Sequence, residues 1–317
     1  MAGDELAAGF GFQWHITWRC AGRCMHCYQS GAESAEEPAL GDLKRIADCI
    51  MAAVPGPVTI NITGGEPLLY RRRAASARAL ASDSAGSTPG EVFELMAYLS
   101  KFESLGELNI ITSASGMGEQ EIRALAALPK LSYVKVSLES HDPALNDHLR
   151  WPGHHEMALE GIRKLASAGL RAVIMATLSK RNYRSAPGLC DLAESLGARG
   201  VIFERFVPLG RGAAQMGSEA LAPTEWREVL GAIARIAGAA PSALQQYKAF
   251  WVDGASVSGA PCCLGPASMA LMPDGTVYPC RRVPAPVGKL PGDGMERILA
   301  ALGGFSATPQ KCFDFGF

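Results

Sequence analysis

Cys20-Ala21-Gly22-Arg23-Cys24-Met25-His26-Cys27 places three thiols within eight residues, directly after the bulky stretch Phe12-Gln-Trp-His-Ile-Thr-Trp18. Thiolates this close together can grip one soft metal centre. A structural zinc asks for four protein ligands and an iron–sulfur cluster as a rule takes four cysteines, so a compact trio points to a cluster with one iron left open for a substrate or cofactor. A zinc knuckle and three unconnected thiols are the alternative readings of the spacing. Residues Trp14 to Trp18 alternate bulky and polar side chains as a strand does, and the cysteine loop leaves the C-terminal end of that strand, the edge where α/β enzymes carry their sites.

Outward from this loop the chain settles into a rhythm. Gly41 to Ala53 sets Leu43, Ile46, Ala47 and Ile50 at helical spacing, and Val54-Pro-Gly-Pro57 stops the helix. Val58 to Thr63 reads as a second strand ending in Gly64-Gly65-Glu66-Pro67, where the glycines permit a close backbone approach and Glu66 offers an acceptor for an ammonium group; taken alone, the tetrapeptide is a turn. Arg71 to Gly90, with its arginine run and its Ser/Gly/Pro-rich end, reads as a solvated surface loop. Alternation resumes with a helix over 91–101, a strand over 108–112, a helix over 119–128, a strand over 133–138, a helix over 156–168, a strand over 172–178, a helix over 186–196 and a strand over 201–206. Six strands separated by helices predict a parallel α/β sheet with right-handed crossovers, doubly wound or closed toward a barrel. No Gly-x-Gly-x-x-Gly loop follows the first strand, so a dinucleotide-binding sheet loses its main signal. The four histidines His141, His148, His154 and His155 crowd one Pro/Gly-containing stretch and read as a surface loop.

Composition narrows the function classes. Lys+Arg 30 against Asp+Glu 31 leaves a formal net charge of −1 over 317 residues, without the basic excess of a nucleic-acid partner. No apolar stretch reaches the ~18 residues of a membrane span, and the first residues lack the basic start and apolar run of an export signal, so the expectation is a cytoplasmic protein with no membrane partner. Nine cysteines, gathered into the trio and a C-terminal group, fit metal binding in a reducing compartment better than a disulfide framework. Cys49 and Cys190 stand apart on apolar helical faces as small core residues.

The Cys-x-x-x-Cys-x-x-Cys spacing followed, one helix and one strand later, by Gly64-Gly65-Glu66-Pro67 resembles the signature of the radical S-adenosylmethionine (SAM) enzymes. The resemblance covers about Phe12 to Gly210 and implies a partial (β/α)6 barrel. It implies that Cys20, Cys24 and Cys27 hold a four-iron, four-sulfur cluster whose open iron chelates SAM, and that Gly64, Gly65, Glu66 and Pro67 hold the methionine amino group. His26 stands where the family commonly has an aromatic near the adenine. Ser137 and Glu139, at the end of the fourth strand, fall where family members contact the ribose or methionine part of SAM, and Arg150 resembles an arginine that pairs with the SAM carboxylate. For Ser137, Glu139 and Arg150 a solvated loop residue or a helix cap is the competing account.

Past the amphipathic helix expected over 223–239 the pattern changes. Cys262-Cys263-Leu-Gly265 precedes two short apolar stretches joined by Asp274-Gly275, a hairpin signal that would carry Cys280 back toward Cys262 and Cys263. This region resembles a shortened SPASM/twitch extension of radical SAM maturases: Gly275-Thr-Val-Tyr-Pro-Cys280 matches its Gly-x-x-x-x-Cys piece. The resemblance implies one auxiliary iron–sulfur cluster drawn from Cys262, Cys263, Cys280 and Cys312, with Cys262 the better match for the first ligand and Cys263 the alternate. A truncated extension with free thiols is the competing account. Arg281 stands where sulfatase-maturing relatives have a catalytic aspartate, so that activity is not implied. The expected domains are a radical SAM barrel over 1–240 and an auxiliary-cluster region over 241–317. The implied reaction is reductive cleavage of SAM to a 5′-deoxyadenosyl radical that abstracts hydrogen from a ribosomally made precursor peptide, giving a thioether or carbon–carbon link or an epimerised residue, with electrons from a flavodoxin- or ferredoxin-like donor. A small sugar or cofactor precursor as substrate, and a non-enzymatic peptide-binding or structural metal protein, are the rival readings.

Overall fold

A computed structural model describes residues 9–29, 36–72, 89–238, 240–244, 247 and 249–306. In chain order the elements are β1 (Phe10–His15), α1 (Leu40–Ala53), β2 (Val58–Thr63), α2 (Val92–Leu99), β3 (Leu105–Thr112), α3 (Glu119–Ala126), β4 (Leu131–Ser137), α4 (Pro143–Leu149), α5 (His154–Ser167), β5 (Ala172–Leu178), α6 (Ala186–Ser195), β6 (Val201–Arg205), α7 (Gly210–Met216), α8 (Pro223–Ala237), β7 (Ala249–Asp253), β8 (Ser256–Ala260), β9 (Ser268–Leu271), β10 (Thr276–Tyr278), β11 (Gly288–Lys289) and α9 (Met295–Leu302). The alternation expected from periodicity is present, with the first strand displaced toward the N-terminus: it ends at His15, and Ile16 to Trp18 continue as irregular chain.

The chain packs as two compact units. Among the described residues, the first is made of 9–21, 36–134 and 263–306, the second of 22–29 and 135–262.

In the first unit β1, β2 and β3 run parallel, with Phe12 opposite Ile60 and Ile60 opposite Leu108. Phe10, Phe12 and Trp14 alternate onto one buried face, their rings 6.0 and 6.1 Å apart along the strand. The opposite face is polar at the same level, where Gln13, Asn61 and Asn109 stand side by side across the three strands. Helix α1 buries Leu43, Ile46, Ala47 and Ile50 as its spacing predicts. The hairpin expected around Asp274-Gly275 forms: β9 and β10 pair antiparallel, and Gly275, at φ 85°, closes the turn.

β9 then pairs in parallel with β1, Met269 opposite Phe12 and Leu271 opposite Trp14. The packing therefore does not divide at 240/241. An apolar strand such as Ser268–Leu271, buried at every position, is stable only inside a sheet, and residues 263–306 join the unit that holds β1.

In the second unit β5 and β6 are parallel, and β7 and β8 follow antiparallel on β6. Phe250 of β7 packs its ring 5.6 Å from Trp226 of α8, whose buried face also carries Val229, Leu230 and Ile233. Among the described residues no helix is long and apolar enough to cross a membrane.

Candidate active site

The Gly-Gly-Glu-Pro turn belongs to the first unit, and the chain it approaches is its own. Gly65 N–H donates to the Thr17 carbonyl at 2.8 Å and Glu66 N–H to the Arg19 carbonyl at 2.7 Å. A Cβ on Gly65 would stand 2.2 Å from the Arg19 oxygen, and one on Gly64 2.5 Å from that of Thr17. Only glycine lets the exit of β2 lie this close to the segment that leads into Cys20. Glu37 braces the same segment, accepting from Thr17 Oγ1 at 2.6 Å and from Arg19 Nη1 at 3.0 Å.

Glu66 is fully buried. Its oxygens accept from Thr112 Oγ1 at 2.6 Å, Ser113 N at 2.7 Å, Ser113 Oγ and Leu68 N at 3.2 Å. Burial pushes its pKa up, and the hydrogen bonds from Ser113, Thr112 and Leu68 pull against that rise without cancelling it. In this structure the carboxylate ties the exit of β3 to the exit of β2. Sequence reasoning passed over Thr112 and Ser113, although a Thr-Ser pair at a strand end is a signal of polar anchoring. Pro67 opens the short turn that Glu66 caps.

Arg72 departs from the solvated reading of the arginine run. It is 4% exposed, donates to the Gly116 carbonyl at 2.8 Å and pairs with buried Glu121 at 3.4 Å. A charge buried this deeply needs a partner, and Glu121 supplies it. The rest of the expected loop, over 73–88, lies outside the described residues.

The cysteine loop crosses from one unit to the other. Cys20, exposed, belongs to the first, and Cys24 and Cys27, half-buried, to the second. Within the second unit Met25 N–H donates to the Leu149 carbonyl at 2.8 Å, Gly212 N–H to the Cys27 carbonyl at 2.8 Å and Arg211 N–H to the Gln29 carbonyl at 2.9 Å. Burial pushes the Cys24 thiol up, while the Arg150 guanidinium nearby acts in the opposite direction.

Glu139 is the hub of this unit. His26 Nε2 stands 3.3 Å from Glu139 Oε1, which also accepts from Arg150 Nε at 3.0 Å and Nη2 at 2.7 Å, while Thr177 N–H donates to Oε2 at 2.7 Å. Burial alone would raise the Glu139 pKa; the adjacent His26 and Arg150 outweigh it and hold the group down to about 2. Arg150 is therefore engaged with Glu139, and Ser137, half-buried, closes β4 two residues before it.

The surface-loop reading holds for exposed His141 and fails for the stretch that follows it, although His148 is exposed as well. That stretch folds as α4 and the start of α5, with His154 fully buried, its Nδ1 3.0 Å from Asn146 Nδ2 and its Nε2 3.4 Å from Arg150 Nη1. Both neighbours are N–H donors, and the neutral ring, with its single acceptor nitrogen, accepts from one of them at a time. Burial, then the positive Arg150, press its pKa down to about 2.

Of the C-terminal thiols, Cys262 lies in the second unit, Cys263 and Cys280 lie in the first, and Cys312 falls outside the described residues. Among the described residues no three Cys, His, Asp or Glu side chains are gathered as a ready-made metal site. The donor set of the trio nonetheless suits iron and sulfide: three soft thiols, two on a loop whose backbone polar groups at Cys24, Met25 and Cys27 are already bonded to protein.

The chain is similar to several known proteins. Fe-coproporphyrin III synthase of Methanosarcina barkeri is 27% identical over 221 residues, covering 69% of this chain and 49% of that protein. The mycofactocin maturase MftC of Mycobacterium tuberculosis is 25% identical over 202 residues, covering 63% and 45%. The chain thus spans about half the length of the curated relatives it matches. Among solved structures, SuiB of Streptococcus suis bound to its precursor peptide SuiA superposes with a TM-score of 0.67 over 93% of this chain and 66% of that one, at 14% identity, which speaks for the fold. The model of the radical SAM superfamily matches residues 14–193, from the aromatic strand through the cysteine loop and the Gly-Gly-Glu-Pro turn into α6, and the chain belongs to that superfamily of enzymes.

Proposed function

We propose that the chain is a radical SAM peptide maturase of the cytoplasm, with Cys20, Cys24 and Cys27 as the ligands of its four-iron, four-sulfur cluster. The observation that carries the reading is the backbone bonding of Gly65 and Glu66 to Thr17 and Arg19, which sets the Gly-Gly-Glu-Pro turn beside the segment that opens the cysteine trio. When bound, the cluster supplies one electron to SAM, releasing methionine and a 5′-deoxyadenosyl radical that takes a hydrogen atom from a substrate C–H bond. The protein's share is to hold SAM, aim it and keep water away. Gly64, Gly65 and Pro67 shape the edge against which the methionine part lies, and Ser137 offers a hydroxyl to the sugar. Arg150, its guanidinium held by Glu139, would meet the SAM carboxylate, and His26, 3.3 Å from the same Glu139, would flank the adenine. Glu66 holds that edge through Thr112 and Ser113.

A peptide substrate is favoured by the likeness to the mycofactocin maturase and to SuiB with its bound precursor. A flavodoxin- or ferredoxin-like protein supplies the electron. One auxiliary iron–sulfur cluster, on Cys262, Cys280 and Cys263 or Cys312, belongs to the same reading. A second reading, a radical SAM enzyme acting on a tetrapyrrole or cofactor precursor, is favoured by the match to Fe-coproporphyrin III synthase. Co-expression with candidate precursor peptides and mass spectrometry of the products tests the substrate. Replacing Cys20, Cys24 and Cys27 together by Ala tests the site: reductive formation of 5′-deoxyadenosine should fall to background, and cleavage at the wild-type rate would remove the central assignment.

A further inference from the structure

The stretch Gly22 to Gln29 is held from two sides by protein alone. On one side lie the end of α4 and the residues after it. The Leu149 carbonyl accepts from Met25 N–H at 2.8 Å, Glu139, itself paired with Arg150, stands 3.3 Å from His26 Nε2, and the Trp151 ring lies flush against Gly22, so that a Cβ there would stand 2.0 Å from ring carbon Cζ3. The ring is itself fixed: it meets His154 edge-on with centroids 4.4 Å apart, and the Arg150 guanidinium carbon lies 6.0 Å from its centroid. On the other side is the start of α7. Gly212 N–H donates to the Cys27 carbonyl at 2.8 Å, Arg211 N–H to the Gln29 carbonyl at 2.9 Å, and Arg211 Nη1 to the Cys24 carbonyl at 3.4 Å. Carbonyls at residues 24, 27 and 29 and the amide at 25 are thus satisfied by neighbouring elements.

A metal-binding loop without such supports must be ordered by the metal, and the cost of ordering it then subtracts from metal affinity. Here the supports are protein groups, and none of the four hydrogen bonds just described runs through a thiol sulfur. We infer that Trp151 and the start of α7 form a protein-built cradle that fixes the Gly22–Gln29 segment before any cluster is present, with Trp151 as a positioning residue whose ring demands glycine at position 22. The inference rests on the proposal that Cys24 and Cys27 ligate a cluster, and it assigns Trp151 and Gly22 a role that the thiol spacing alone does not contain. Trp151 acts through the loop and touches no reacting atom.

Two measurements test it. In the metal-free protein, hydrogen exchange should show the Met25 and Gly212 amides protected to the same degree as after cluster loading; exchange at the rate of an open loop until iron and sulfide are added would overturn the claim. The second measurement is iron and sulfide per chain after anaerobic reconstitution at limiting iron, for wild type, Gly22→Ala, Trp151→Ala and the double variant, with far-UV circular dichroism to confirm that each is folded. Gly22→Ala alone should lower apparent cluster affinity about 10-fold or more, the scale at which supporting residues act on metal sites. In the Trp151→Ala background the same change should cost little, because the ring it collides with is gone. Equal losses from Gly22→Ala in both backgrounds, or none in either, would sink the proposal. A wild-type chain that takes up no iron would instead sink the reading of the trio as cluster ligands, so the two failures are distinguishable.

Discussion

The two stretches that carry the candidate site are built by different physics. The Gly64–Glu66 turn is fixed by backbone against backbone, two N–H groups on two carbonyls, with glycine as the condition of the approach. The His26 region is fixed by side-chain charge, with one buried carboxylate serving a guanidinium, an imidazole and a backbone amide. Backbone locking depends on the absence of atoms, and charge locking depends on their presence. The first therefore tolerates no addition and the second no subtraction, and substitutions at the two places should fail in opposite ways.

The charge-locked region should give the larger effect. Glu139→Gln leaves the nearly buried Arg150 without its counter-charge, and removing one member of a buried pair costs about 3–5 kcal/mol. Urea unfolding of the metal-free protein should show that loss, and the further change Arg150→Met should recover much of it, since an apolar chain needs no partner. A loss below about 1 kcal/mol, the ordinary value of an exposed pair, would mean that charge does not hold this region.

In the backbone-locked region Gly65→Ala forces a methyl to within 2.2 Å of the Arg19 oxygen and should cost about 1–3 kcal/mol as the two segments part. Gly11→Ala is the matched control within the same unit: nothing lies within 4 Å of the added carbon, and the change should be neutral or stabilise by up to about 1 kcal/mol through the unfolded chain. Equal unfolding midpoints for the two variants would dissolve the contrast.

Legibility followed the same division. Periodicity placed β2 to β6 and the helices between them, because each strand buries one alternating face and each helix one stripe, while the first strand lies four residues nearer the N-terminus than its alternation suggested. The glycine pair was readable because glycine has few other reasons to occur twice in succession at a strand end. The charge hub was not readable: nothing in Glu139, Arg150 and His26 as letters says that they meet, since His26 and Glu139 lie more than a hundred residues apart and only tertiary packing brings them to 3.3 Å. The same holds for Arg72, read as solvated from its neighbours Arg71 and Arg73 and found paired with Glu121. The C-terminal thiols show the reverse case, in which the hairpin was legible from Asp274-Gly275 while the parallel pairing of β9 with β1 was not. Pairing partners across 250 residues leave no local trace.

The smallest effect sets one titrating group in each unit against the other. His15, fully buried at the end of β1, is pressed from 6.5 to about 3 by burial and then by Arg281; His154, buried at the start of α5, is pressed to about 2 by burial and then by Arg150. Both folded-state values lie below the unfolded one, so between 6.5 and 3 the unfolded chain binds protons that the folded chain refuses. Each group therefore contributes stability that is complete above pH 6.5 and is lost as the pH falls, at a slope approaching about 1.4 kcal/mol per pH unit. Glu139, held at about 2 against 4.5, adds to the loss only below pH 4.5, while Glu66, raised by burial, works in the opposite direction above it. The readout is accordingly the change in slope between pH 6 and pH 5 on replacing one histidine. His15→Asn and His154→Asn should each flatten the pH dependence of unfolding by up to about 1.4 kcal/mol per unit, one proton apiece. A slope unchanged by His15→Asn but reduced by His154→Asn would show that the first unit admits a charged ring at β1 and that only the charge-locked unit excludes one.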